Sequence, residues 1–412
     1  MTDLSADVVR RLGDALAIEI STSDAERLAT GLSTELDGYD QLDQLTRDHA
    51  FSTPATDVVF DPGSNADPLN AFVSRFELST DGTTDAPALD DLEVGVKDNM
   101  LVAGAPTTCG SRVFTSTASA GHATVVERLL AAGATITGKT NMDELAYGPA
   151  SETSGFGPVR NPADEGHVAG GSSSGSAAAV GDGTVDAALG TDTGGSVRIP
   201  ASFCGVVGFK PSWGMVPRTG VVELSFSLDH VGPLARDLAT AARVFEVVAG
   251  VDPADPSSER ARRLDGTATD AVAAPPDLDD VTFGVPEELF GAHVADDVRA
   301  VVDDAVAALE AAGVETAPVS VPRVDDSVVV WNAITNVEFA STLLADMSPI
   351  RRRGGVDPVW QESAAAALHD RADRLGPVAT RKALLGAYLC AERPQVYVSA
   401  RVARDRLAAQ FD

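Results

Sequence analysis

Apolar residues recur at helical spacing from the start of the chain. Val8, Val9, Leu12 and Leu16, then Ala25, Leu28 and Leu32, mark two helices between residues 4 and 35, and the side chains of Thr22 to Asp24 can cap the second. This pattern predicts an N-terminal helical arm, drawn over residues 1–78. A polar, turn-rich stretch from Ser79 to Asp91 leads into Leu92 to Val96, a short β-like run that opens the core, residues 79–412. From His122 the pattern reads as a helix (Val125, Val126, Leu129, Leu130), a stop at Gly133 and a strand from Ala134 to Thr137. The same order returns with a strand at Val281 to Val285, a helix at Ala295 to Ala312 and a strand from Val314. Strands alternating with helices predict one large α/β domain, with a mixed, mainly parallel central sheet covered by helices on both faces. Residues 252–280, rich in Pro, Asp, Ala and Arg without periodicity, read as a surface excursion. From Ser327 onward the pattern is mostly helical, with Pro394 at a boundary and a last helix over Val402 to Gln410.

Composition narrows the setting. With 412 residues, 44% of them hydrophobic, the chain can bury a substantial core. It has no run of about 18 uncharged apolar residues, and no basic segment followed by an apolar one at its start. A soluble, unexported, cytoplasmic protein is therefore expected, without membrane contact. Cys109, Cys204 and Cys390 are too few and too widely spaced for a disulfide framework or a metal site, and read as reduced thiols. The net charge of -30 repels polyanions, so direct nucleic-acid binding is not expected. Lysine occurs only at 97, 139, 210 and 382, while arginine carries the remaining positive charge. Acidic residues spread along the whole length fit adaptation to a salt-rich, halophilic cytoplasm, where self-repulsion is screened.

Three local patterns compete for the chemistry. Gly133, Gly138, Lys139 and Thr140 match a phosphate loop letter for letter, but a helix precedes them and Ala134 to Thr137 is β-forming, the reverse of the required order. Gly171-Ser172-Ser173-Ser174-Gly175 fits a nucleophile elbow centred on Ser173. That motif must follow a strand, whereas Asn161 to Gly170 reads as loop, and neither His230 nor His293 stands in a context that marks a base. The third is a constellation: Gly170 to Ala179 and, with Ser172 and Ser196 twenty-four positions apart, Gly190-Thr191-Asp192-Thr193-Gly194-Gly195-Ser196-Val197-Arg198-Ile199-Pro200. Both segments lie between apolar runs, and their small residues let backbone N–H groups approach a ligand closely.

These paired segments resemble the amidase signature, and Val94-Gly95-Val96-Lys97-Asp98-Asn99 resembles that family's lysine motif. Gly138 to Glu144, Gly155-Phe156-Gly157 and Phe203 to Pro211 are similar to it too, so the resemblance runs from about Leu92 to Gly250. It implies the amidase signature fold and a Ser-Ser-Lys triad. Ser196 would be the acylated nucleophile, Ser172 a bridging serine on a cis peptide, and Lys97 the base. Thr193, Gly194 and Gly195, with the amide of Ser196, would supply oxyanion donors, while Asp192 and Arg198 brace the loop. A lysine can serve as base only when neutral, which burial favours. Neither metal nor cofactor is implied, and the substrate would be a small-molecule amide, hydrolysed to carboxylate and ammonia. The family's core is usually followed by further strands. This chain stops at Asp412 inside or just after a helix, so its C-terminal part is expected to be short or incomplete. A stand-alone amidase is the favoured activity. The alternatives are the glutaminase subunit of a tRNA-dependent amidotransferase, which would need a partner subunit, and a non-catalytic scaffold.

Overall fold

The computed structural model describes residues 4–16, 18–39, 53–80, 89–263, 266–275, 277–278, 281–290, 294–347 and 357–411. His293 and most of the turn-rich stretch from Ser79 to Asp91 lie outside these residues. Residues 1–51 form one unit and 52–412 another. The first is a helical hairpin, α1 (Ala6–Ala15) and α2 (Thr22–Tyr39). Ser5 caps α1 by accepting from Val8 N, and the Ser21 hydroxyl accepts from Asp24 N at 3.2 Å. Its small core is Val9, Ala25 and Ala29.

The second unit is built on a seven-stranded sheet. Its strands are β1 (Val59–Phe60), β2 (Phe72–Leu78), β3 (Glu93–Lys97), β4 (Thr135–Thr140), β7 (Ala187–Asp192), β8 (Val207–Gly208) and β9 (His230–Ala235), in spatial order β1-β2-β4-β3-β7-β9-β8. A separate hairpin of β5 (Arg160–Asn161) and β6 (Asp164–Val168) lies between β4 and β7 in sequence. The central strands β4, β3 and β7 are mutually parallel, and β1 and β8 share their direction. Only β2 and β9 run against them, so the sheet is mixed and mainly parallel.

Side-chain alternation along the strands divides the core into two layers. On one face, α3 (Thr124–Ala131) and α6 (Leu238–Val248) bury Val125, Val126, Leu129, Val244 and Phe245 against Val94, Val96, Ile136 and Leu189. On the other, α4 (Ser174–Gly181) and α5 (Arg198–Cys204) bury Ala177 to Val180 and Ala201 against Phe72, Ala188 and Leu234. Each fully buried valine or leucine contributes about 1.5–3 kcal/mol. The alanines of α4 let that helix lie close to the strands, and at Gly175 a Cβ would come within 2.1 Å of the Ala71 carbonyl oxygen.

Three expectations need correction. The helical arm does not extend to residue 78, because Phe72 to Leu78 alternates buried and exposed side chains and pairs with β4 as a sheet strand. The second strand-helix-strand unit, β10 (Thr282–Pro286), α8 (Asp296–Ala311) and β11 (Glu315–Val319), forms as expected, after the short α7 (Ala268–Ala273). Its two strands pair in parallel with each other in a sheet of their own and do not extend the central sheet. Nor is all of 252–280 a surface excursion: Asp255 and Ser258 are fully buried, and Asp255 accepts from the Arg218 amide at 2.8 Å.

The C-terminal part is helical: α9 (Ser327–Leu344), α10 (Pro358–Arg371), α11 (Pro377–Glu392) and α12 (Gln395–Ala408), with Pro394 between the last two. α9 packs on α11 and α12, and Gly386 of α11 makes this possible, since a Cβ there would sit 1.8 Å from the Asn336 carbonyl oxygen. A third apolar cluster, with Trp360, Phe339, Tyr147, Met142 and Phe114, joins these helices to the loops beyond β3 and β4. Among the described residues, no helix is long and apolar enough to cross a membrane.

Candidate active site

The site lies beyond the carboxyl ends of the parallel strands, where strand ends and loops leave a crevice. β3 ends in Lys97, and β7 ends in Asp192 and runs directly into Thr193 to Ser196. The loop before α4 contributes Ser172, with a cis Gly171–Ser172 peptide bond. Only glycine fits at 171, because a Cβ would fall 1.9 Å from Asp143 Oδ2. The loop is tied from both sides: Gly171 N donates to the Pro149 carbonyl at 2.8 Å, and Asp143 N donates to the Ser172 carbonyl at 3.2 Å.

Ser173 staples the two serine loops together. Its amide donates to the Ser196 carbonyl at 3.1 Å, its hydroxyl donates to the Thr191 carbonyl at 3.1 Å, and it accepts from Thr191 N at 3.2 Å. The backbones of Ser172 and Ser196, distant in sequence, are thereby brought side by side. Ser173 is fully buried and spends its hydroxyl on β7, which is a structural use and not that of an elbow nucleophile. His230, the base such an elbow would need, contacts the Asp192 carbonyl at 3.1 Å, and burial pushes its imidazole down to about 4.

Lys97 and Ser172 are both fully buried. Lys97 Nζ lies 2.8 Å from Ser172 Oγ, 2.7 Å from Thr191 Oγ1 and 3.4 Å from the Thr191 carbonyl. Asn99 Nδ2 also donates to Thr191 Oγ1, at 3.3 Å, and holds the Val222 carbonyl at 3.1 Å. Burial brings the Lys97 amine down to about 7, against the opposing pull of the Asp143, Asp229 and Asp192 carboxylates. At neutral pH a large fraction of Lys97 is therefore uncharged and able to take a proton from Ser172. Ser196 is half-buried at the mouth of the site, and among the described residues its hydroxyl makes no hydrogen bond.

Asp192 organises the turn that carries Ser196. Its carboxylate accepts from Gly195 N at 2.7 Å, from Val197 N at 3.2 Å and from the Arg198 guanidinium at 2.9 and 3.0 Å. Arg198 and these amides hold the Asp192 carboxyl below the usual range although burial acts in the opposite direction. Asp192 and Arg198 thus brace the loop. Of the amides expected to face an oxyanion, that of Gly195 already donates to Asp192. Among the described residues, the amides of Gly194 and Ser196 donate to no protein acceptor.

Several contributors carried no signal of their own in the sequence. Thr191 stood inside the motif without an assigned role. Asp229, buried, accepts from the Thr193 hydroxyl at 2.6 Å, and burial together with the Glu223 carboxylate pushes it up to about 7. Trp331 of α9 donates to the Thr193 carbonyl at 3.1 Å. The phosphate-loop lookalike resolves as structure: Lys139 is fully buried on β4, 3.1 Å from Asp98 and 2.8 Å from Thr107 Oγ1, with a strand where a phosphate loop needs a turn and helix.

A buried lysine touching a serine on a cis peptide, stapled beside a second serine in a glycine turn at the end of a mainly parallel sheet, fits the site that the amidase-signature resemblance implies. The chain belongs to the amidase family, whose model, described as Amidase, matches residues 74–412. Among curated proteins, it is 46% identical to a glutamyl-tRNA(Gln) amidotransferase subunit of Natronomonas pharaonis over 348 residues, covering 83% of this chain and 80% of that protein. Among solved structures, it is similar to the corresponding glutamyl-tRNA(Gln) amidotransferase subunit of Thermotoga maritima, with a TM-score of 0.66 and 32% identity over 83% of this chain and 69% of that one. It is also similar to the native peptide amidase of Stenotrophomonas maltophilia, with a TM-score of 0.62 and 30% identity over 77% of this chain and 65% of that one.

Proposed function

We propose that this chain is the glutaminase subunit of a tRNA-dependent amidotransferase, releasing ammonia from a carboxamide through a Ser196 acyl-enzyme. The observation that carries the chemistry is the 2.8 Å contact between a fully buried, readily neutralised Lys97 and Ser172. Ser172 gives its proton to Lys97 Nζ as it takes the proton of Ser196, and Ser196 Oγ bonds to the carbonyl carbon. The tetrahedral oxygen is met by the amides of Gly194 and Ser196, with Thr193 as a further donor. When the C–N bond breaks, the departing nitrogen takes the proton back through Ser172 and leaves as ammonia. Water then enters by the same proton route and frees the carboxylate.

Similarity to glutamyl-tRNA(Gln) amidotransferase subunits from two organisms supports this activity over the stand-alone amidase expected from the sequence. A net charge of -30 fits a chain that leaves tRNA contact to a partner protein. The same charge, with arginine favoured over lysine, supports a salt-rich cytoplasm as its working place. Similarity to a peptide amidase keeps the stand-alone activity as the second reading. A scaffold without catalysis has little use for a buried lysine held against a serine.

Ammonia release separates the two activities. The chain is assayed on glutamine and on simple aliphatic and aromatic amides, alone and with the remaining subunits of such an amidotransferase. The amidotransferase assignment predicts glutamine turnover that rises with the partner subunits and vanishes in Ser196→Ala. Turnover of simple amides that partner subunits leave unchanged, without glutamine turnover, returns the chain to the stand-alone class.

A further inference from the structure

The turn that would hold the oxyanion is fixed from the side of α9, by two residues that the catalytic motifs do not include. Trp331 and Glu338 are seven positions apart, two helical turns, and so lie on one face of α9. The Trp331 indole N–H donates to the Thr193 carbonyl at 3.1 Å. Its ring lies against Gly194, where a Cβ would come within 2.6 Å of Nε1. Thr193 C=O and Gly194 N–H belong to one planar trans peptide and point in opposite directions. A donor that fixes the carbonyl therefore also fixes the direction of the Gly194 N–H, one of the amides left without a protein acceptor among the described residues.

The side chain of the same threonine is fixed as well. Thr193 Oγ1 donates to Asp229 Oδ1 at 2.6 Å, and Asp229 Oδ2 accepts from Leu224 N at 2.9 Å and Ser225 N at 3.0 Å. Fully buried Glu338 grips that segment by accepting from the Ser225 hydroxyl at 2.5 Å, Ser227 N at 3.1 Å and the Ser227 hydroxyl at 2.7 Å. The Tyr397 hydroxyl of α12 donates to Glu338 at 2.6 Å. Thr193 is thus held at its carbonyl and at its hydroxyl by groups that lead back to one helix.

We propose that Trp331 is a positioning residue that aims the Gly194 N–H at the tetrahedral oxygen, with Glu338 and Asp229 fixing the other end of the clamp. This rests on the acyl-enzyme chemistry proposed above. A preorganised donor acts in the transition state more than in ground-state binding, so its loss changes the rate of bond formation and spares affinity.

The test is the kinetics of labelling of the full chain by a fluorophosphonate probe, resolved into the maximal rate kinact and the half-saturating concentration KI. Trp331→Phe keeps a ring against Gly194 and removes the N–H. The expected result is a fall in kinact of about tenfold, with KI within about twofold of wild type and an unchanged circular dichroism spectrum. Glu338→Gln, which keeps the size of the side chain, is expected to lower kinact by about threefold, again at constant KI. Labelling of Trp331→Phe at the wild-type kinact overturns the inference, as does a change confined to KI, which would make the indole a ground-state pocket wall. Should Trp331→Phe fail to fold, Glu338→Gln decides by the same two criteria. A folded wild type that takes no label overturns the acyl-enzyme chemistry and this inference together, whereas a labelled wild type with unaffected variants overturns the inference alone.

Discussion

At the scale of single residues, the proposed chemistry depends on the charge state of one amine. Lys97 is fully buried, and burial brings it to about 7 despite three carboxylates that pull the other way. In the proposed chemistry the base is the neutral form, so the sign of the pH dependence follows: Lys97 is protonated below this value and would become competent as pH rises through it. Amide hydrolysis is predicted to increase about tenfold per pH unit on the acid side and to level off above about 7, as read from kcat across pH 5 to 9. Lys97→Arg, which cannot lose its proton, should cut kcat by about a thousandfold without unfolding the chain. Lys97 was picked out in the sequence by the resemblance of Val94 to Asn99 to the family's lysine motif and by the rarity of lysine in the chain; alone it reads as a solvated strand end. Ser172 and Ser196 were picked out by the resemblance of their paired glycine-serine segments to the amidase signature, since each segment alone reads as a flexible loop. Trp331 and Asp229 were not, because each reaches Thr193 only through tertiary packing, Trp331 from 138 positions away in the sequence. No local pattern distinguishes such a tryptophan from an ordinary core residue.

At the scale of elements, β3 and β4 meet through a buried ion pair that holds the base of the site. Lys139 and Asp98 are both fully buried, and Asp98 also accepts from the Thr108 hydroxyl and from Thr108 N at 3.1 Å. Removing one member leaves a buried charge without its partner. Lys139→Met is therefore predicted to cost about 3–5 kcal/mol in urea unfolding, and Asp98→Asn combined with it should recover part of that loss. ATP with magnesium should leave the thermal midpoint of the wild type unchanged, since the lysine of the lookalike motif has no path to a phosphate. α3 with its Gly133 stop was readable from periodicity, while the region from Ser327 onward read only as mostly helical, without its four helices being told apart. Sheet membership was harder to read. Phe72 to Leu78 alternates as a strand should, yet its place beside β4 depends on a partner about sixty residues further along. β10 and β11 were recognisable one by one, but nothing local indicated that they would pair only with each other.

At the scale of the whole molecule, sixty-one acidic side chains against thirty-one basic ones make self-repulsion a global term. Screening it should stabilise the fold, so the midpoint of thermal unfolding is predicted to climb as potassium chloride rises from 0.1 M to molar concentrations. A midpoint that is flat or falls over this range would rule out the salt-adapted assignment. The sheet, both helical layers and the two serine loops place the Lys97 amine against the Ser172 hydroxyl and bring the Ser196 backbone beside that loop, and the proposed proton route is built on this placement. Mass spectrometry of the fluorophosphonate adduct tests this arrangement most directly, by identifying which serine is modified and whether modification needs the amine. The proton route predicts a single adduct on Ser196 in the wild type and none in folded Lys97→Ala; an adduct on Ser172 or Ser173, or undiminished modification of Ser196 without the amine, would contradict it.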